Sequence, residues 1–270
     1  MRNLHGSPIW YELTSPDPDA AKAFYEQVIG WTVHPPEPGG MDYRMIDCGN
    51  GDFIGALASA AGERPPGIGP GWKFYLGVDD TDAIVAKVIA AGGSLISGPH
   101  DLPGVGRLAL VADPQGIPFY VMRGASDGES TAWDRTGMGK CNWNELNTPD
   151  QAAANAFYAD LFGWTYPDKL AMGEMGDYVF VAAGDETIGA TMTALPGPPP
   201  AWQFYFRAPD IDAAAAKVAS GGGTVHAGPM DVPGGDRIIV ASDPHGAMFG
   251  VVAPATGHQH DGPDRPVHLV

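Results

Sequence analysis

Two carboxylates have the strongest claim to chemistry in this chain. Glu12 lies in Trp10-Tyr-Glu-Leu and Glu145 in Trp143-Asn-Glu-Leu. In a strand, where side chains alternate between faces, each Glu shares a face with the Trp two positions before it. A carboxylate set among apolar rings is poorly solvated, so its pKa rises and it can take up a proton as a general base. Strand parity in Trp72-Lys-Phe-Tyr and Trp202-Gln-Phe-Tyr-Phe-Arg groups Lys73 with Tyr75, and Gln203 with Tyr205 and Arg207. Lys73 can neutralise Glu12, whereas Gln203 leaves Glu145 without that cation, which makes Glu145 the better candidate base.

Other chemistries find less support. Cys48 and Cys141 are isolated, which gives neither a disulfide framework nor metal-knuckle spacing. No Gly-rich phosphate loop, GxSxG elbow or HExxH helix is present. His5, His34, His100, His226 and His245 are scattered and suit surface or loop roles, and His258, His260 and His268 fall in a Gly/Pro/Asp tail expected to be disordered. Lys and Arg number 15 against 32 Asp and Glu, a formal charge of −17 that repels phosphate backbones and anionic lipid, so nucleic acid and membrane surfaces are not expected partners. The N-terminus lacks the apolar core of a signal peptide, so a cytoplasmic location is expected.

The elements that must position the carboxylates occur twice. Ala23-Phe-Tyr-Glu-Gln-Val-Ile-Gly-Trp31 returns as Ala156-Phe-Tyr-Ala-Asp-Leu-Phe-Gly-Trp164, 133 positions later. Trp72-Lys-Phe-Tyr, Gly98-Pro-His-Asp-Leu-Pro-Gly and Asp113-Pro-Gln-Gly return 130 positions later. A few residues deleted in a Gly/Pro-rich loop explain the change of offset, and five matches in register establish a duplication. Within a copy, a strand from Pro8 leads through Pro16-Asp-Pro-Asp into a helix ended by Gly30; strands near Tyr43–Asp47 and Phe53–Leu57 follow. A second strand at Trp72–Val78, a helix over Ala83–Ala91 and three more strands complete a βαβββ–βαβββ unit. The reading is α+β: domain one over 1–124, a Gly/Ser/Thr-rich linker over 125–139, domain two over 140–254 and a flexible tail over 255–270. Asp113 and Asp243 are expected to form Asx-turns, and Arg107 and Arg237 to tie their loops to nearby carboxylates.

This pattern, with AFY…GW on the first helix and Asp-Pro-x-Gly before the last strand, resembles the vicinal oxygen chelate superfamily, which includes glyoxalase I, extradiol dioxygenases, fosfomycin-resistance enzymes and bleomycin-binding proteins. It looks most like the two-domain members labelled glyoxalase-like or hydroxylases. The resemblance covers nearly the whole chain and implies two glyoxalase-like domains, each a curled, partly open eight-stranded sheet around a pocket, with metal ligands on four strands in the metal-using members. Those positions align with Trp10, Gly55 or Ala56, Lys73 and Tyr120 in the first copy, and with Trp143, Gly189 or Ala190, Gln203 and Gly250 in the second. None is His, Glu or Asp, so neither a metal nor another cofactor is expected.

A first pocket of Trp10, Glu12, Lys73, Tyr75, Tyr120 and Met122 suits an organic ligand; equally, these side chains can fill the sheet as core. In the second copy Gly250 replaces Tyr120 and should open space, making the pocket of Trp143, Glu145, Gln203, Tyr205 and Arg207 the roomier one. The leading reading is metal-independent binding of a small molecule in detoxification or sequestration. The alternatives are a metal-dependent lyase or dioxygenase using Glu12 or Glu145, and an interaction protein with filled pockets. A monomer with packed domains and a homodimer both fit.

Overall fold

A computed structural model describes residues 2–49, 51–61, 69–194 and 199–255. The histidines expected in a loose tail lie outside this set. The first half runs β1 (Pro8–Ser15), α1 (Pro18–Val28), β2 (Thr32–Val33), β3 (Tyr43–Asp47), β4 (Phe53–Ser59), β5 (Gly71–Gly77), α2 (Thr81–Ala90), β6 (Ser94–Leu102), β7 (Gly106–Ala112) and β8 (Pro118–Gly124). The second repeats it as β9 (Cys141–Thr148), α3 (Gln151–Phe162), β10 (Lys169–Ala171), β11 (Asp177–Ala183), β12 (Glu186–Thr193), β13 (Ala201–Arg207), α4 (Ile211–Ser220), β14 (Thr224–Asp231), β15 (Asp236–Ser242) and β16 (Met248–Pro254). Each half forms one curled mixed sheet of eight strands, β2-β3-β4-β1-β5-β8-β7-β6 and β10-β11-β12-β9-β13-β16-β15-β14. The α+β reading with two βαβββ modules per half is borne out.

Each of the helices α1 to α4 starts on an aspartate whose carboxylate accepts a backbone N–H three residues on: Asp17 from Ala20, Asp80 from Ala83, Asp150 from Ala153 and Asp210 from Ala213. These caps satisfy amides that the helix itself leaves unpaired.

The repeated aromatic motif builds the junction between the halves. Trp72 Nε1 donates to the Tyr25 hydroxyl (3.0 Å), which donates to Asp243 of the other half (3.3 Å). Reciprocally, Trp202 Nε1 donates to Tyr158 (3.1 Å) and Tyr158 to Asp113 (3.2 Å). The same exchange joins Trp31 to the Gly139 carbonyl (2.6 Å) and Trp164 to the Gly6 carbonyl (2.9 Å). Gly6 and Gly139 both have positive φ, and a Cβ on either would lie 2.7 Å from a Cβ of the other half, Phe162 or Cys48. Glycine is therefore what allows the close approach.

Phe74, on the opposite face of β5 from Lys73 and Tyr75, packs against the other half. Its ring centroid is 4.8 Å from Trp202 and 5.2 Å from Phe204, and Tyr11 meets Phe204 edge-on at 5.3 Å. Aromatic pairs of this kind add about 0.5–1.5 kcal/mol each beyond their buried area. One continuous core results, with buried residues from both sheets in a single cluster.

Asp113 and Asp243 also form the expected turns, each accepting two backbone amides through Oδ1 at 2.9 Å. Arg107 pairs with Asp82 and Asp101, and Arg237 with Asp212 and Asp231.

Candidate functional site

The face of each sheet turned away from the junction carries one of the two carboxylates. In the first sheet, β1 pairs with β5 so that Glu12 lies opposite Lys73 and Trp10 opposite Tyr75, while Tyr75 lies beside Tyr120 of β8. The Tyr75 hydroxyl donates to Glu12 Oε2 at 2.7 Å, and Trp10 Nε1 donates to the Tyr43 hydroxyl at 3.0 Å. Tyr75 and Tyr120 stack at 4.1 Å with planes 7° apart. Glu12 (7% exposed), Lys73 (6%) and Tyr75 (6%) are buried, with Lys73 Nζ 3.2 Å from the Gly69 carbonyl. Met122, expected in this pocket, is half-buried and pairs with Gly77 of β5.

The second sheet repeats the arrangement around its own carboxylate. Trp143 Nε1 donates to the Tyr178 hydroxyl (2.7 Å), and Tyr178 donates to Glu145 Oε2 (2.8 Å). Asn147 donates to Glu145 Oε1 (3.2 Å), the Tyr205 hydroxyl sits 3.4 Å from both carboxylate oxygens, and Gln203 donates to Tyr205 (3.0 Å). Glu145 is thus not the bare carboxylate that its sequence neighbours suggest. Burial pushes its pKa up, while the hydrogen bonds from Tyr178, Asn147 and Tyr205 pull it down; burial dominates. Burial also raises Tyr178 and Tyr205 well above the usual phenol range, so both remain neutral donors at physiological pH. Unlike Glu12, Glu145 is only half-buried, as are Trp143, Tyr178, Phe180 and Gln203.

Two expectations need correction. Gly250 does not leave an empty hole, because the Tyr205 ring lies directly on it: a Cβ there would be 2.1 Å from the ring. Arg207 is not a partner of Glu145. It is buried, bonded to Asn142 and paired with Asp236 at 2.5 Å, because the strand end carries its guanidinium to β15.

Sequence reasoning missed Tyr43 and Tyr178, the phenols that link each Trp to its Glu. Their signal is the recurrence of Asp42-Tyr43 as Asp177-Tyr178, which is obscured because its offset differs from those of the longer motifs.

The four ligand positions of the metal-using pattern can now be tested on geometry. Gly55 and Gly189 are held as glycines by the parallel strand alongside, since a Cβ would fall 1.9 Å from the Tyr11 or Asn144 carbonyl oxygen. Trp10 and Trp143 spend their N–H groups on tyrosines, and protonated Lys73 has no lone pair to give. Among the described residues, no three His, Cys, Asp or Glu side chains converge. One carboxylate per sheet does not fit the three or four donors that a divalent ion requires. A separate cavity of about 200 Å³, lined in part by Leu4, Trp133 and Glu186, lies between the halves and is not lined by either carboxylate.

Comparison with known proteins agrees with the architecture. The family model described as Glyoxalase/Bleomycin resistance protein/Dioxygenase superfamily matches residues 8–121 and 140–251. The chain is 37% identical over 253 residues to "Putative glyoxylase CFP32" of Mycobacterium tuberculosis (strain CDC 1551 / Oshkosh), covering 93% of this chain and 95% of that one. It is 34% identical over 273 residues to Anthracycline biosynthesis protein DnrV of Streptomyces peucetius, covering 94% and 95%. Among solved structures, the Mn(II)-bound glyoxalase from Novosphingobium aromaticivorans superposes with a TM-score of 0.63 at 20% identity, covering 93% of this chain and 82% of that one. At that identity the likeness is one of fold, and fold does not carry chemistry with it. The duplicated sheet, the matched motifs and these relatives together place the chain in the glyoxalase/bleomycin resistance protein/dioxygenase superfamily.

Proposed function

We propose that this protein binds a small planar organic molecule in the second sheet, around Trp143, Glu145, Gln203 and Tyr205, without a metal ion. The observation that carries the reading is the contrast between two copies of one site. In the first copy the carboxylate is buried and Tyr75 stacks on Tyr120, whereas Glu145 is half-buried near the half-buried Trp143 and Tyr178, its oxygens held by Tyr178, Tyr205 and Asn147. Preset polar groups in an aromatic cleft orient a ligand at little entropic cost. The name of the DnrV relative, an anthracycline biosynthesis protein, agrees with an aromatic ligand. Catalysis with Glu145 as general base is the second reading, favoured by the upward push of burial on its carboxyl.

The test is a thermal-shift screen of planar aromatic compounds on protein stripped with chelator. A ligand that binds only the native state raises the melting temperature by mass action. The expected result is a rise unaffected by added Zn, Ni, Mn or Fe, abolished by Trp143→Ala and retained by Trp10→Ala. Stoichiometric tightly bound metal, or a rise seen only with metal, overturns the metal-free reading. A hit with turnover that Glu145→Gln removes while binding persists supports the base.

A further inference from the structure

Every described arginine but one is neutralised. Arg2 pairs with Asp79, Arg44 with Asp19 and Asp42, Arg107 with Asp82 and Asp101, Arg123 with Asp127, Arg207 with Asp236 and Arg237 with Asp212 and Asp231. Arg135 has no carboxylate within ion-pair distance among the described residues; its guanidinium lies over the Trp143 ring, 5.8 Å from the centroid. That isolation is notable in a chain with 32 acidic residues against 15 basic. The neighbouring Asp134 carboxylate does not compensate, because its Oδ1 accepts the backbone amides of Thr136 and Gly137 at 2.9 Å.

The internal repeat explains why Arg135 is free. Gly6 and Gly139 occupy matched places at the junction, so Arg2 and Arg135, each four residues earlier, are counterparts. Arg2 is held by Asp79 at 3.2 Å, after β5. The matched residue after β13 is Pro209, which offers no carboxylate. Released from that tether, the guanidinium rests on the indole that walls the Glu145 site. It is exposed there, with its N–H donors available.

Building on the proposed pocket, we infer that Arg135 selects its ligand class: planar aromatic molecules bearing an anionic oxygen, a carboxylate or an ionised enol or phenol, which the guanidinium receives while the ring lies against Trp143. A guanidinium is suited to both roles, since its planar fork hydrogen-bonds a carboxylate and its face stacks on an aromatic ring. The first sheet lacks this device because Arg2 is occupied.

The experiment compares 2-naphthoate with its neutral analogue 2-naphthamide by tryptophan-fluorescence titration of the full chain at low ionic strength. The wild type is expected to prefer the naphthoate by about tenfold, the scale of one charge-assisted hydrogen bond. Arg135→Gln should bring the two affinities within about twofold by weakening the anion only. Pro209→Asp, which restores the carboxylate present in the first half, should recapture Arg135 and have the same effect with the arginine still in place. Equal binding of both probes by the wild type, or a preference that survives both substitutions, overturns the selection by Arg135 and leaves the pocket standing. Binding of neither probe overturns the pocket reading and this inference together.

Discussion

Glu12 and Glu145 sit at the same place in two copies of one sheet, each linked through a tyrosine to a tryptophan, yet their surroundings diverge. In the first sheet Lys73 lies across from the carboxylate and Tyr120 stacks on Tyr75 at 4.1 Å, leaving Glu12 7% exposed. In the second, Gln203 and Gly250 stand at those positions, Tyr205 settles onto the glycine, and Glu145 keeps contact with solvent. Two substitutions on neighbouring strands thus accompany the difference between a buried carboxylate and a half-buried one, while the junction between the halves keeps its reciprocal bonds. At the junction every change is felt by both halves.

The largest expected effect tests that symmetry. Trp72→Ala and Trp202→Ala each remove a buried indole and its bond to Tyr25 or Tyr158, and each should cost about 3–5 kcal/mol in urea unfolding. A clear inequality between them would show that the junction has diverged like the pockets. Next, Gly250→Ala places a Cβ where the Tyr205 ring now lies. It should cost about 1–3 kcal/mol and weaken aromatic-probe binding by displacing Tyr205 from Glu145. Unchanged stability and binding would show that Tyr205 is free to move.

The smallest effect concerns pH. Because burial holds the Glu145 carboxyl above its ordinary pKa, the folded state favours its protonated form. The associated stability is fully present below the unfolded carboxylate pKa and is lost as pH rises through the folded value. Glu145→Gln has no proton to lose, so its stability relative to wild type should improve as pH rises from about 4 toward neutrality. A difference that does not change with pH would mean that the three donors fully offset desolvation.

Much of this was legible in the residues. The duplication, the helix start in Pro16-Asp-Pro-Asp, the helix near Ala83 and the two strand carboxylates all follow from local spacing, because capping and strand alternation act within a few residues of chain. Side-chain parity also grouped Trp10 with Glu12 and Lys73 with Tyr75, and β1 and β5 bring the two groups together. Less legible was anything set by a partner far along the chain. Tyr43 and Tyr178 reach the carboxylates from strands more than 30 residues away, and Arg207 pairs with Asp236 because the strand end carries it there.

The sequence by itself determined that one unit was copied and which residues stand at matched positions of the two copies, since both depend only on the order of residues. Only the tertiary structure decided what the repeated motif is for. The AFY…GW and Asp-Pro-x-Gly signatures, which read as helix and turn markers, lock each half to the other through Tyr25–Asp243 and Tyr158–Asp113. The tertiary structure likewise decided that Gly250 is covered by Tyr205 and that Arg135 rests on Trp143. The physical reason is that packing and pairing depend on distances across the fold, and a change as local as Pro209 in place of Asp79 acts only on the residue that folding brings beside it.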